Sequence, residues 1–144
     1  MKALAIDLDG VLGDTQRLWE AWLEDAQRRF RVELEKADEA ELDERLGNWR
    51  ALLERFAEDH APVYLRPQPG VTSALRRLRA AGVDLGAFTD APEPLARVAL
   101  AHLGGSRRID VLETGPGALE RLLERFGSGT PVVRAPEELA RAAA

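Results

Sequence analysis

At 144 residues, 45% hydrophobic and 31% charged, the chain reads as one globular domain with room for a small insertion. A chain of this length buries roughly 70% of its unfolded surface and needs no staple, and the absence of cysteine removes disulfides, thiolate metal sites and cysteine nucleophiles together. A net charge of −5 argues against a nucleic-acid partner, and no apolar run approaches the roughly 20 residues that span a bilayer, so no membrane role and a cytoplasmic place are expected.

Residues 2–8 hold an apolar run, Ala3-Leu4-Ala5-Ile6, that stops at an acidic, glycine-containing turn. That is the pattern of a strand buried on both faces. From Thr15 the period becomes helical, with Leu18, Trp19, Trp22, Leu23 and Ala26 on one stripe and Asp14 or Thr15 as N-cap. Two further helices are predicted over 38–46 and 48–58, so 15–64 reads as an all-helical block. Three prolines and a glycine mark 62–70 as a connector.

Beyond the connector, helices are predicted at 71–81, from Pro92 to Leu103, at 118–126 and at 136–143. Strands are predicted between them at 83–89, 109–112 and 130–133. Alternation of this kind makes an α/β fold, a Rossmann-like parallel sheet of about four strands with right-handed crossovers and helices on both faces. The last strand is expected at a sheet edge, to be covered by the final helix or by a second copy in a homodimer.

Ligands of an open parallel sheet bind at the carboxyl ends of its strands. Asp7-Leu8-Asp9-Gly10-Val11 occupies that end of the first strand. The i, i+2 spacing is expected to aim both carboxylates one way, and two close carboxylates suit a hard cation such as Mg²⁺. As an isolated dipeptide the pair reads equally as a turn. His60 and His102 stand far apart and read as structural, and Trp19, Trp22 and Trp49 read as core, with a cleft wall as the other role.

The wider context is more specific. Ala5-Ile6-Asp7-Leu8-Asp9-Gly10-Val11-Leu12 with Asp14-Thr15 resembles the first motif of the haloacid dehalogenase superfamily, and the helical block stands where that family carries an α-helical cap. Arg66-Pro67-Gln68-Pro69-Gly70-Val71 looks like the return from cap to core, and Phe88-Thr89-Asp90 like the second motif. The resemblance implies a core of residues 1–14 and 65–144 and a cap of residues 15–64. It implies a Mg²⁺-dependent phosphatase of small phosphorylated metabolites, with Asp7 as the nucleophile that forms an aspartyl-phosphate and Asp9 as general acid and base. Asp7 and Asp9 would hold the metal, and Thr89 with Asp90 would bind the substrate phosphate.

Two features depart from the family pattern. The stretch Glu113-Thr114-Gly115-Pro116-Gly117 has no lysine where the third motif has one, and Lys2 and Lys36 are the chain's only lysines. After the fourth strand, Arg134-Ala135-Pro136 puts a cation where the family has an acidic metal ligand. Arg134 is expected in the same cleft, paired with Asp7 or Asp9 and serving as a phosphate clamp. Asp90 and Glu113 are the carboxylates on hand to replace the lost ligand. The alternative to an enzyme is a binding or interaction module that kept the fold and lost the chemistry.

Overall fold

The computed structural model describes all 144 residues. In chain order they form β1 (Ala3–Asp7), a wide π-helical turn (Leu8–Leu12), α1 (Gln16–Phe30), α2 (Glu39–Arg45), α3 (Trp49–Tyr64) and α4 (Pro69–Ala80). Then follow β2 (Asp84–Thr89), α5 (Glu93–His102), β3 (Val111–Thr114), α6 (Ala118–Phe126), β4 (Val132–Val133) and α7 (Pro136–Ala143). The four strands make one parallel sheet in the order β3-β2-β1-β4, a Rossmann-like arrangement with the first strand inside.

Period-two alternation sorts the strand side chains onto two faces. Leu4, Ile6, Leu85, Ala87 and Val133 join the larger apolar cluster, which also holds the buried residues of α4 and α7 and Leu95, Ala99 and Leu100 of α5. Ala5 and Phe88 join a smaller cluster under α6, with Val132 packed beside them. At Gly86 that helix comes so close that a Cβ would lie 2.6 Å from Leu122 Cδ1 and from Phe126 Cε2. Strand β4 is an edge with one neighbour, and α7 folds back against it, α4 and the π-turn.

The helices between β1 and β2 do not have a core of their own. Leu18, Trp22 and Ala26 of α1 and Trp49, Leu53, Ala57 and Ala61 of α3 lie in the same 29-residue cluster as Leu4 and Ile6. Helix α3 packs along α1 on one side and α5 on the other. None of the helices is long and apolar enough to cross a membrane.

Several element boundaries differ from the sequence pattern, β4 among them, which starts at Val132 rather than at residue 130. Proline 62 does not open the connector, because α3 continues through Pro62 to Tyr64 and closes with Leu65 N–H on Ala61 O at 2.8 Å. One missing N–H so near the C-terminus leaves the turn intact, and the connector shrinks to residues 65–68 before Pro69 starts α4. Strand β3 begins two residues later than the apolar run suggests. Asp110 first ties down the preceding turn, its carboxylate accepting Leu85 N–H at 2.8 Å and Arg79 Nη1 at 2.6 Å.

Candidate functional site

The register of the sheet sets the first pair of charges. Ile6 of β1 stands opposite Val133 of β4, so the next residue on each strand, Asp7 and Arg134, emerges side by side at the carboxyl end. Asp7 is also opposite Phe88 of β2. Arg134 Nη1 lies 3.4 Å from Asp7 Oδ2, and its guanidinium carbon sits 5.4 Å from the centre of the Phe88 ring. The Arg134 side chain is 57% exposed against 22% for Asp7, so the pair is partly hydrated and contributes little to stability. Gly10 permits the approach of the two loops, since a Cβ there would collide with the Arg134 carbonyl oxygen.

Strand alternation does not aim the second carboxylate. Asp9 lies in the π-turn, beyond the last residue of β1, where the two-residue period no longer applies. Its orientation comes from two threonines. Thr15 donates its hydroxyl to Asp9 Oδ1 at 2.6 Å and its N–H to the same atom at 2.9 Å, and Thr89 donates its hydroxyl to Asp9 Oδ2 at 2.6 Å. Thr15 and Thr89 are the two buried polar residues of the chain, and this shared partner satisfies both. Thr15 occupies the cap position of α1 but spends its hydroxyl on Asp9, while Asp14 Oδ1 accepts the Gln16 N–H at 2.9 Å.

Asp7, Asp9, Thr89, Asp90 and Arg134 all line one cavity of about 400 Å³ beside the start of α6. A second cavity of about 540 Å³ lies between the α1–α2 region and the start of α5, and it shares Asp9 and Asp90 with the first. The loop that walls it is organised by Glu41, whose carboxylate accepts the N–H groups of Glu35, Lys36 and Ala37 at 2.7–3.0 Å. Those N–H groups hold the Glu41 carboxyl below its usual range, and they fix Ala37 at a positive φ of 53°. The sequence carried no signal for this role of Glu41, because its partners belong to an irregular loop.

Burial raises the Asp7 carboxyl above its ordinary 3.8, with the Asp9 charge adding to the rise. The Gly10 and Asp9 N–H groups and Arg134 pull the other way without cancelling it. A carboxyl with a raised folded pKa binds its proton more tightly in the folded state, so stability falls as pH climbs from about 3.8 through the raised value. Asp7→Asn is therefore expected to melt higher than the wild type at pH 7. The gain should disappear below pH 3.8, where both side chains are neutral. Thermal melts across that range check the sign.

The remaining candidates are placed elsewhere. Glu113 pairs with Arg121 at 2.9 Å and Arg125 at 3.7 Å and lines neither cavity, so it does not supply a replacement ligand. Lys2 and Lys36 line neither cavity. His102 Nε2 lies 3.0 Å from Leu65 O, and His60 packs on Phe56 with ring centres 4.1 Å apart. A Mg²⁺ ion asks for several hard oxygens at once. Here both Asp9 oxygens already accept hydroxyls, Asp7 Oδ2 faces a guanidinium, and no three His, Asp or Glu side chains come close enough together to hold one metal ion. These residues do not fit a resident Mg²⁺ site of the usual kind.

A parallel sheet with the first strand inside, a carboxylate at its end and a second carboxylate in the turn beyond make a Rossmann-like α/β core with a two-carboxylate site at its strand ends. A family model described as haloacid dehalogenase-like hydrolase matches residues 1–140, and the chain belongs to that family, whose members typically use Mg²⁺. Similar solved structures include a proposed β-phosphoglucomutase from Thermotoga maritima, 23% identical, TM-score 0.57, covering 99% of this chain and 82% of that one. CbbY from Rhodobacter sphaeroides, solved with phosphate, is 18% identical, with a TM-score of 0.63 over 88% of this chain and 72% of that one. A HAD phosphatase from Thermococcus onnurineus is 23% identical, with a TM-score of 0.59 over 99% of this chain and 83% of that one. At these identities the likeness is one of fold. No functionally curated protein matches the sequence significantly.

Proposed function

We propose that the protein hydrolyses phosphate monoesters of small molecules through an aspartyl-phosphate on Asp7. In this reading residues 1–14 and 65–144 are the core and residues 15–64 a helical cap. The supporting observation is one cavity that holds a carboxylate beside a cation and a second carboxylate oriented by hydroxyls. Arg134 binds the phosphate oxygens with its planar fork and draws their charge toward Asp7. The Asp90 carboxylate repels phosphate, so its contribution there is its backbone N–H. An Asp7 oxygen attacks phosphorus, the ester P–O bond breaks, and the departing oxygen takes the proton that the monoanionic ester brings in and Asp9 relays, one threonine hydroxyl turning aside to free an Asp9 oxygen. Asp9 then takes a proton from the water that attacks the phosphorylated Asp7, and inorganic phosphate leaves.

A second reading is binding without turnover. It is favoured by the engagement of Asp7 with Arg134 and of both Asp9 oxygens with threonine hydroxyls. A panel of phosphate esters, assayed with Mg²⁺ and with a chelator, separates the two. Phosphate release together with a mass gain of one phosphoryl group on Asp7 is the result expected of the enzyme. Calorimetric binding of esters with neither signal selects the second reading, and no binding removes both.

Arg134 gives a further expected result. Arg134→Asp removes the guanidinium beside Asp7 and puts a second carboxylate there, so Mg²⁺ affinity by calorimetry should rise at least about tenfold. Unchanged affinity would show that Arg134 does not govern cation access to Asp7.

A further inference from the structure

Resting on that reading of Asp7 and Asp9, we infer that the organic part of the ester carries a cationic group, such as an ammonium. The larger cavity, of about 540 Å³, is where that part fits, because it meets the smaller one at Asp9. The group that protonates the leaving oxygen belongs at the boundary between phosphate and leaving group. With phosphate on the Arg134 side, the remainder of the molecule extends past Asp9 and Asp90 into the larger cavity.

The chemistry of that cavity is one-sided. Asp9, Asp14, Asp38, Glu39 and Asp90 line it, and no lysine, arginine or histidine does. Only Glu39 has a cation partner, Arg50 at 3.2 Å, in an exposed pair. Asp14 and Asp38 each accept one backbone N–H at 2.9 Å, which leaves their charges in place, and the Asp90 side chain has no hydrogen bond or ion pair. A cleft lined by one sign of charge concentrates ions of the other sign. Trp19 adds an aromatic wall, steadied by stacking on Trp22 with ring centres 5.5 Å apart, and an indole face attracts ammonium. Sugar hydroxyls donate hydrogen bonds to these carboxylates but leave their charge uncompensated, and phosphorylated carboxylic acids are repelled.

Calorimetry on the full chain with phosphoethanolamine and phosphocholine against ethyl phosphate tests the inference. The ammonium esters should bind about tenfold more tightly, an advantage that shrinks as salt is added. In the double variant Asp14→Asn, Asp38→Asn the ratio of affinities should fall toward one. Asparagine keeps both backbone N–H contacts, so the fold is preserved, which a thermal melt confirms. Equal affinity for charged and neutral esters, or an undiminished preference in the double variant, overturns the inference while leaving the phosphate site standing. Failure of every ester to bind overturns the phosphate site itself, and the inference with it.

Discussion

Asp7→Asn should lower phosphate-ester turnover by at least about three orders of magnitude and abolish the phosphoryl adduct, since the amide oxygen is a poor nucleophile and cannot form an acyl phosphate that turns over. The variant keeps the shape of the site. The carboxamide oxygen of the new side chain can still accept the Asp9 N–H that Asp7 Oδ1 accepts at 3.2 Å, and the neighbouring Asp9 stays on Thr15 and Thr89. Loss of activity with a higher melting temperature at pH 7 would identify Asp7 as a group kept ionised for chemistry at a cost in stability. Residual activity close to wild type would mean that another group carries the reaction, or that the signal came from a contaminant.

Trp49→Ala should destabilise the protein by about 3–5 kcal/mol, on the order of 10 °C in melting temperature. Trp49 is fully buried at the start of α3, 6.1 Å from the Trp22 ring, with its Nε1 donating to Asp43 at 2.7 Å and Arg50 lying 4.4 Å over its face. Truncation empties a large volume, while the Asp43 carboxylate keeps Arg50 Nη1 at 2.7 Å, so the loss is one of packing. Because the helices of 16–64 share one apolar cluster with the sheet, the loss should appear in a single transition followed equally by far-ultraviolet circular dichroism and by fluorescence of the remaining tryptophans. Two separated transitions, with the sheet unaffected, would show that the helical block folds on its own.

Much of the architecture was legible in the chain. The apolar run before Asp7, the helical stripes of 16–64 and the strand–helix alternation after Pro69 specify a parallel sheet with a helical insertion, because burial imposes periods of two and 3.6 on the sequence itself. Helices α6 and α7 fall where their patterns place them, at 118–126 and 136–143. Asp7, Asp9, Thr89, Asp90 and Arg134 were each visible as residues at strand ends or in the turns beyond them, and the structure brings all five to one cavity.

The working geometry was decided only in three dimensions. Arg134 sits at Asp7 because β4 pairs with β1 in the register Ile6 with Val133, a choice between segments more than a hundred residues apart that no local pattern encodes. Asp9 is held by Thr15 and Thr89, which are six and eighty residues away, and the wide turn rather than strand alternation lets it reach both. The acidic cleft against Trp19 likewise joins four separate stretches of chain. Local sequence determines which elements form, because each carries its own periodic apolar face. The meeting of charges from distant elements depends on register and loop path, which the packing of the whole molecule selects.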